Sequence, residues 1–197
     1  MPTCGYSLTS LSTGDCVLFT AVFLIAGVAW GQDSMTLEKF NTLVATPGDT
    51  NALRPELASF PLWKATRCRT VVRLADGQVS TEEAVGTTKT IDGKYVVYST
   101  DSKFSKEPLR AVIGYDDKAS AIKSWGIAGG SLAEGTIVFD PERRVSAFTG
   151  THGEFMQISV GTYSDTEAFT RMLVYKNGVL AVTREVKLWP IKAEPKD

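Results

Sequence analysis

The sequence predicts an all-β protein, an antiparallel up-and-down barrel of about ten strands preceded by a short helix. Two observations favour this fold. From residue 62 to residue 189, β-branched and aromatic residues alternate with polar ones in short runs that turn-forming residues separate. No stretch with helical periodicity interrupts these runs. Consecutive strands with short loops pair with their neighbours, and closing the sheet removes its exposed edges.

Residues 1–31 are expected to form a secretory signal peptide. Residues 16–30 (CVLFTAVFLIAGVAW) carry no charge, and this run is too short for a membrane span of about 20 residues. Ala29 and Gly31 are small residues where a signal peptidase needs them, so we expect cleavage after Gly31 and a secreted or periplasmic protein. The first fifteen residues contain no Lys or Arg, which keeps a retained membrane anchor as the alternative. Cys16 precedes the apolar run, which disfavours lipid attachment.

Residues 32–61 are expected to form a helical segment that caps the barrel. Helical spacing of apolar residues predicts a helix over 34–44, with Ser34 as its N-cap. The apolar residues at this spacing are Leu37, Phe40, Leu43 and Val44. A Pro-Gly pair ends the helix, and a second short helical turn is expected over 50–57 despite Pro55.

Residues 62–192 form the expected barrel domain, and 193–197 form a tail. Asp92-Gly93 and Asn177-Gly178 are the strongest hairpin signals, because both residues of a type I′ turn need a positive φ. The predicted strands are 62–74, 78–90, 94–100, 106–116, 119–127, 131–139, 143–150, 154–162, 167–176 and 179–189.

Alternation along the strands predicts which side chains face the interior. Three apolar stripes are expected there, one in the first strand, one in the eighth and one in the last. They are Cys68, Thr70, Val72 and Leu74; Met156, Ile158 and Val160; and Leu180, Val182, Val186 and Leu188.

Two motifs carry a resemblance to a known family. Residues 114–117 read Gly-Tyr-Asp-Asp and precede Trp125, and residues 91–95 read Ile-Asp-Gly-Lys-Tyr. These motifs resemble the pattern of a largely bacterial, often exported family of unknown function that has a lipocalin-like, calycin-type β-barrel. Members open with a short helix and a strand that begins Gly-x-Trp; Trp63 is present here and the glycine is not. The resemblance covers roughly residues 37–190, and it implies the barrel and export but no activity.

Charge and cysteine content exclude several classes of partner and cross-link. Lys and Arg number 21 against 22 Asp and Glu, and the first 31 residues contribute only Asp15, so the mature chain is formally neutral. A neutral chain without clustered cations disfavours binding to nucleic acid, and no membrane contact beyond the signal segment is expected. Cys68 is the only cysteine of the mature chain, which rules out an intrachain disulfide.

Four side chains are candidates for ligand binding in the lumen: Arg184, Arg110, Trp125 and Tyr98. Arg184 interrupts an apolar stripe, where a guanidinium needs a partner. It is expected either to meet a ligand carboxylate or, as the commoner arrangement, to cover Trp63 at the closed end of the barrel. For Arg110, an ion pair with Glu83 or Glu134 is the commoner explanation. Trp125 and Tyr98 are barrel aromatics first, and ligand contacts if the lumen is open.

No motif predicts catalysis, a metal or a cofactor. Glu82 and Glu83 are adjacent in a strand and face opposite sides, so they cannot share a proton. His152 is the only histidine and is expected in an exposed turn, and Cys68 is expected to act as a small apolar residue. The leading hypothesis is therefore a barrel that binds a small, partly apolar ligand. The alternatives are a hydrolase or isomerase with interior Glu, Tyr and Arg, and a structural envelope module with a filled barrel.

Overall fold

The computed structural model describes residues 34–58, 60, 63–101, 109–128 and 130–191, and these form one closed antiparallel barrel with two short helices. The expected signal segment and the C-terminal tail lie outside the described residues. Each strand pairs with its neighbours in sequence, and β1 pairs with β10 to close the barrel. The strands are β1 Ala65–Leu74, β2 Val79–Ile91, β3 Tyr95–Thr100, β4 Leu109–Asp116, β5 Ala121–Ala128, β6 Ser131–Asp140, β7 Val145–His152, β8 Phe155–Tyr163, β9 Ala168–Lys176 and β10 Val179–Pro190.

The predicted fold class is confirmed, because the ten predicted strands are all present. The Asn177-Gly178 hairpin has the expected geometry, with φ of 50° and 79°. We call the two rims of the barrel the Ala65 end, where β1 begins, and the Leu74 end, where β1 finishes. None of the described helices is long and apolar enough to cross a membrane.

Strand register separates an inward face from an outward face. Cys68 lies opposite Ala84 on β2 and Leu188 on β10, and it is only 6% exposed. Its neighbours Arg67 and Arg69 are exposed. Because paired residues share a face of the sheet, following the register from Cys68 assigns every strand position to the lumen or to the outer wall.

Two of the expected interior stripes differ from the structure. Met156, Ile158 and Val160 face outward, and Val160 is 53% exposed. The register shifts between Leu180 and Val182, so Leu180 pairs with the outward Tyr175 and leaves the stripe of its strand. Both predictions were wrong because they assumed that apolar residues face the interior, whereas an outer wall can carry apolar residues too.

The first helix, α1 (Leu37–Ala45), starts two residues later than an N-cap at Ser34 would require. Thr36 is the N-cap instead, because its hydroxyl accepts from the Lys39 amide at 3.1 Å. At the other end, Lys89 Nζ on β2 donates to the Val44 and Thr46 carbonyls at 2.6 and 2.5 Å. These bonds satisfy carbonyls that the helix leaves free, and they attach its C-terminus to the outer wall.

The hydrophobic core lies between α1 and the outer wall of the barrel. Phe40 and Leu43 pack against outward side chains of β2 to β5, among which Val112 is fully buried. The wall residues of this core are Ile91, Val97, Val112 and Trp125. The helix was expected to cap the barrel, but it lies on the outer wall. Val97, Val112 and Trp125 are neighbours in register across three strands, and they provide the apolar surface that α1 covers.

The short helix α2 (Pro55–Ala58) and the residues after it lie at the Ala65 end. Pro55 occupies the first helical position, where its missing amide hydrogen costs nothing, so it starts the turn rather than weakening it. Phe60 stacks on the inward Phe139, with ring centroids 4.7 Å apart, and Phe139 stacks on Tyr163 at 4.9 Å. This aromatic stack covers part of the Ala65 end.

Candidate functional site

Some inward side chains remain partly accessible to solvent. Phe148, Met172 and Val174 face the lumen by register, and each is only partly buried. Solvent reaches such side chains through the lumen or past a rim, so packing does not close the barrel at these positions. On β8 the inward residues are polar or small, namely Gln157, Ser159 and Gly161.

Arg184 faces the lumen towards the Leu74 end. It lies opposite Val72 on β1 and Met172 on β9, both of them inward. Its side chain is exposed, and no carboxylate of the described residues lies within ion-pair distance of it. The outward arginines nearby differ, because Arg171 and Arg73 both pair with Glu185, at 2.8 and 3.7 Å. Among the described residues, Arg184 therefore has no carboxylate partner for the positive charge that it presents to the lumen.

The structure does not support the interpretation in which Arg184 covers Trp63. Val72, its partner in register, lies about 20 Å along β1 from the end at which Trp63 enters the barrel, at about 3.3 Å per residue. Arg54 of the N-terminal segment stacks on an aromatic ring there instead, 4.4 Å from the centroid of Tyr115.

Tyr98 faces the lumen from β3, as expected, and its hydroxyl lies beside Thr66 and Gly86. A Cβ built on Gly86 would stand 2.5 Å from Tyr98 Oη and 2.8 Å from Thr66 Oγ1, so the absent side chain makes room for both hydroxyls. Burial raises the pKa of Tyr98, and the nearby Thr66 and Thr100 hydroxyls oppose that rise. The phenol is therefore protonated at neutral pH and can donate a hydrogen bond.

Thr66 is 3% exposed, and its Oγ1 makes no geometrically complete hydrogen bond with any described residue. It lies near enough to Tyr98 to influence the pKa of the phenol, but proximity without hydrogen-bond geometry does not satisfy the hydroxyl. Sequence reasoning missed Thr66 and Gly86. Their signal was the alternation Thr66, Cys68, Thr70, which places hydroxyls and a thiol together on the inward side of β1.

Glu82 and Cys68 are further inward groups. Glu82 is 8% exposed while Glu83 is on the outer wall, in agreement with strand alternation. Burial raises the pKa of the Cys68 thiol, and its Sγ lies 3.6 Å from Thr70 Oγ1. A thiol whose pKa is raised stays protonated and is a poor nucleophile. The lumen therefore holds a Glu, a Tyr and an Arg on three different strands, without an activated nucleophile among the described residues.

Arg110 and Trp125 do not face the lumen, contrary to expectation. Trp125 lies beneath α1, and its Nε1 donates to Glu134 Oε2 at 2.9 Å. Glu134 also pairs with Lys123 at 2.8 Å, so it is not the partner of Arg110. Arg110 shares the outward face with Val112 and is exposed. Both residues were expected in the lumen, and the register places them on the outer wall instead.

His152 ends β7 rather than lying in an exposed turn, because the turn begins at Gly153. It is partly buried, and its Nε2 lies 3.1 Å from Ser131 Oγ. Within the described ranges, no group of three His, Cys, Asp or Glu side chains is arranged to hold a metal ion.

The Gly-Tyr-Asp-Asp motif attaches the N-terminal segment to the barrel. A Cβ on Gly114 would stand 2.9 Å from the Tyr95 ring, so glycine lets this aromatic lie close to the wall. Asp117 accepts from Arg54 Nη2 at 2.8 Å, and Arg54 also pairs with Glu56 at 2.9 Å. The neighbouring guanidinium holds the pKa of both carboxyls below the usual range. These motif residues are structural in this protein.

These features define a closed, ten-stranded antiparallel β-barrel with a helix on its outer wall and an inward arginine that has no ion-pair partner in the described part of the chain. Neither a protein-family model nor a curated protein matches the sequence. Among solved structures, the chain is similar to a protein of unknown function of the DUF3598 family from Nostoc punctiforme, with 10% identity and a TM-score of 0.50. The match covers 72% of this chain and 51% of that protein, so this chain spans about half its length.

A second similar structure is the S-type phycobiliprotein lyase from Guillardia theta, with 8% identity, a TM-score of 0.48 and coverage of 67% of this chain and 89% of that one. At 10% identity the first likeness shows the fold alone, a β-barrel, and carries no function over to this chain.

Proposed function

We propose that the barrel binds an amphipathic carboxylate in its lumen, with the acid group at Arg184 and the apolar chain along the inner wall. The observation that carries this proposal is that Arg184 points into the lumen without a carboxylate partner among the described residues. A charge in a partly apolar interior is costly unless an anion or water compensates it, and a guanidinium binds a carboxylate through two parallel hydrogen bonds.

The inner wall near Arg184 suits an alkyl chain. From Arg184 the register leads across Met172 and Ser159 to the ring of Phe148, which lies over Gly135 and Gly150. Along β10, Val186 and Leu188 face the same way and are partly buried. Burying apolar ligand surface here contributes about 25 cal/mol per Å2, which favours a chain over a small ion.

The experiment is a calorimetric titration of the mature protein with dodecanoate. Arg184→Gln removes the charge with little change in size, and we expect roughly tenfold to hundredfold weaker binding, as for loss of a charge-assisted pair. The matched control is Arg69→Gln on the outer wall of β1, which changes net charge equally and leaves the affinity unchanged. Dodecanol, which lacks the carboxylate, should bind the Arg184→Gln variant and the wild type alike.

Two outcomes would refute the proposal. Equal dodecanoate affinity in wild type and Arg184→Gln removes the anchor assignment. No binding of either dodecanoate or dodecanol to the wild type favours the filled structural barrel instead.

We also propose that the protein is exported and loses its first 31 residues. The uncharged run of residues 16–30, with the small residues Ala29 and Gly31 at the expected cleavage site, supports this proposal. Expression of the full chain in a secreting bacterial host, followed by intact-mass measurement, should give a mature chain beginning at Gln32. A cell-associated chain that retains its N-terminus would support the membrane-anchor alternative.

A further inference from the structure

A second polar group of the lumen lies at a distance from Arg184. Thr66 precedes Val72 by six residues on β1, which is about 20 Å of strand. Thr66 pairs with Gly86, and both Thr66 and Tyr98 direct their hydroxyls over that glycine. We call Thr66, Gly86 and Tyr98 the hydroxyl subsite. Arg184 is the cationic site of the lumen, and the hydroxyl subsite carries no formal charge.

The hydroxyl subsite is not satisfied by the protein itself. Thr66 Oγ1 is closed off from solvent and has no hydrogen-bond partner in the described part of the chain. A buried hydroxyl without a partner destabilises the folded state, so folded proteins rarely keep one without a compensating role. Thr100 does not relieve it, because no hydrogen bond joins the two threonine hydroxyls and the Thr100 hydroxyl donates to the Val85 carbonyl at 3.3 Å.

Tyr98 connects this orphaned hydroxyl to the lumen. Its side chain is partly buried rather than closed off, and its phenol is held protonated by burial. When a ligand oxygen accepts a hydrogen bond from Tyr98 Oη, the phenol oxygen accepts in turn from Thr66 Oγ1. A chain of hydrogen bonds then runs from Thr66 through Tyr98 to the ligand. Hydrogen bonds in such a chain polarise one another, so the ligand contact satisfies both hydroxyls.

We propose that the hydroxyl subsite recognises a neutral oxygen at the far end of the ligand, so that the preferred ligand is a carboxylate with a terminal hydroxyl or keto group. This inference rests on the proposed function, because Arg184 holds the acid end. A charged group at the far end is disfavoured, since two neutral hydroxyls cannot compensate a buried carboxylate.

The test compares dodecanoate, omega-hydroxydodecanoate and dodecanedioate by calorimetric titration of the mature protein. The wild type should bind the hydroxy acid roughly three- to tenfold more tightly than dodecanoate, the gain of one hydrogen bond to an unsatisfied group. Dodecanedioate should bind more weakly than either. The corresponding decanoate and hexadecanoate pairs show which chain length reaches both sites, and an omega-keto acid shows whether accepting from Tyr98 is sufficient.

Three variants locate the effect. Tyr98→Phe and Thr66→Val should each bring the ratio of the dodecanoate and hydroxy acid dissociation constants to about one, because the affinity for the hydroxy acid falls. Gly86→Ala should do the same, because its Cβ occupies the space between the two hydroxyls. The matched control, Thr87→Val, lies on the outer wall beside Gly86 and should keep the full preference.

The outcomes separate the two proposals. Dodecanoate binding that depends on Arg184 but shows no preference for the hydroxy acid overturns the hydroxyl subsite and leaves the proposed function standing. A preference that survives both Tyr98→Phe and Thr66→Val also overturns it. Failure of every acid to bind overturns both.

Discussion

The two sides of the barrel wall differ in how tightly they are packed. Beneath α1, the outer wall at β3 and β4 is as tightly closed as a protein interior, with Val97 1% and Val112 0% exposed. On the inner side, Phe148, Met172 and Val174 remain partly accessible, and polar groups such as Gln157 and Thr170 lie among them. The main buried cluster of this barrel is therefore outside its lumen.

This division has a physical consequence. A small barrel usually relies on its interior side chains for stability, and filling that interior leaves no room for a ligand. Here α1 buries apolar surface against the outer wall, which contributes stability without using the lumen. The comparison predicts that substitutions under α1 change stability and spare ligand binding, whereas substitutions in the lumen change binding with small or opposite effects on stability.

The largest expected effect on the free energy of unfolding is that of Phe40→Ala. Phe40 is 1% exposed between α1 and the wall, and a buried Phe→Ala change costs about 3 to 5 kcal/mol of the free energy of unfolding. The measurement is urea denaturation of the protein. Leu37→Ala, on the exposed side of the same helix with 43% exposure, should cost less than about 1 kcal/mol. If dodecanoate affinity falls together with stability while the variant is still folded, the two sides of the wall are coupled and the comparison fails.

A smaller effect of opposite sign is expected for Thr66→Val in the lumen. Valine matches threonine in shape and removes the hydroxyl that has no partner, so the free energy of unfolding should rise by about 1 kcal/mol. Thr100→Val is the matched control, because the Thr100 hydroxyl donates to Val85 and its removal should destabilise by about 1 kcal/mol. Urea denaturation of the two variants side by side measures the difference. Equal destabilisation by both would mean that Thr66 is satisfied after all.

The barrel was predictable because its signals are local. Turn residues and period-two alternation report on a few neighbouring residues, so they predict ten strands without knowledge of what the strands contact. A different pattern, two apolar residues in succession, is present in Val96-Val97 and Val112-Ile113. Because successive residues of a strand face opposite sides, this pattern indicates a strand that is buried on both sides. That pattern predicts an outer layer over β3 and β4, and it is the signal that would have located α1.

The candidate site was less predictable, because strand alternation groups residues by face without saying which face is inside. Arg110 and Trp125 were expected in the lumen but lie on the outer wall, and the same is true of Met156, Ile158 and Val160. Which face of a strand lies inside depends on how the barrel closes and on where α1 lies. Both depend on contacts between residues distant in sequence. The pairing of Arg184 with Val72 is also long-range, so the distance of Arg184 from Trp63 appears only in the folded chain.

The smallest expected effect concerns the link between the N-terminal segment and the barrel, and it depends on pH. Arg54 lowers the pKa of Asp117 and Glu56 in the folded state. A lowered folded-state pKa stabilises the protein above the ordinary carboxyl pKa of about 4, and this stabilisation is lost as pH falls through the lowered value. Arg54→Gln removes the interaction at every pH. The difference in free energy of unfolding between wild type and variant should therefore be greatest at neutral pH and shrink in acid.

Urea denaturation of both proteins between neutral pH and about pH 3 measures this dependence. Both carboxylates are exposed, so salt should weaken the neutral-pH difference as well. Arg143→Gln is the control, since Arg143 pairs with Asp140 on the surface at 3.7 Å and does not contact the N-terminal segment. If the difference in free energy of unfolding between wild type and Arg54→Gln does not depend on pH, Arg54 acts through its stacking on Tyr115 instead. A cation–π contact does not require either carboxylate to be ionised.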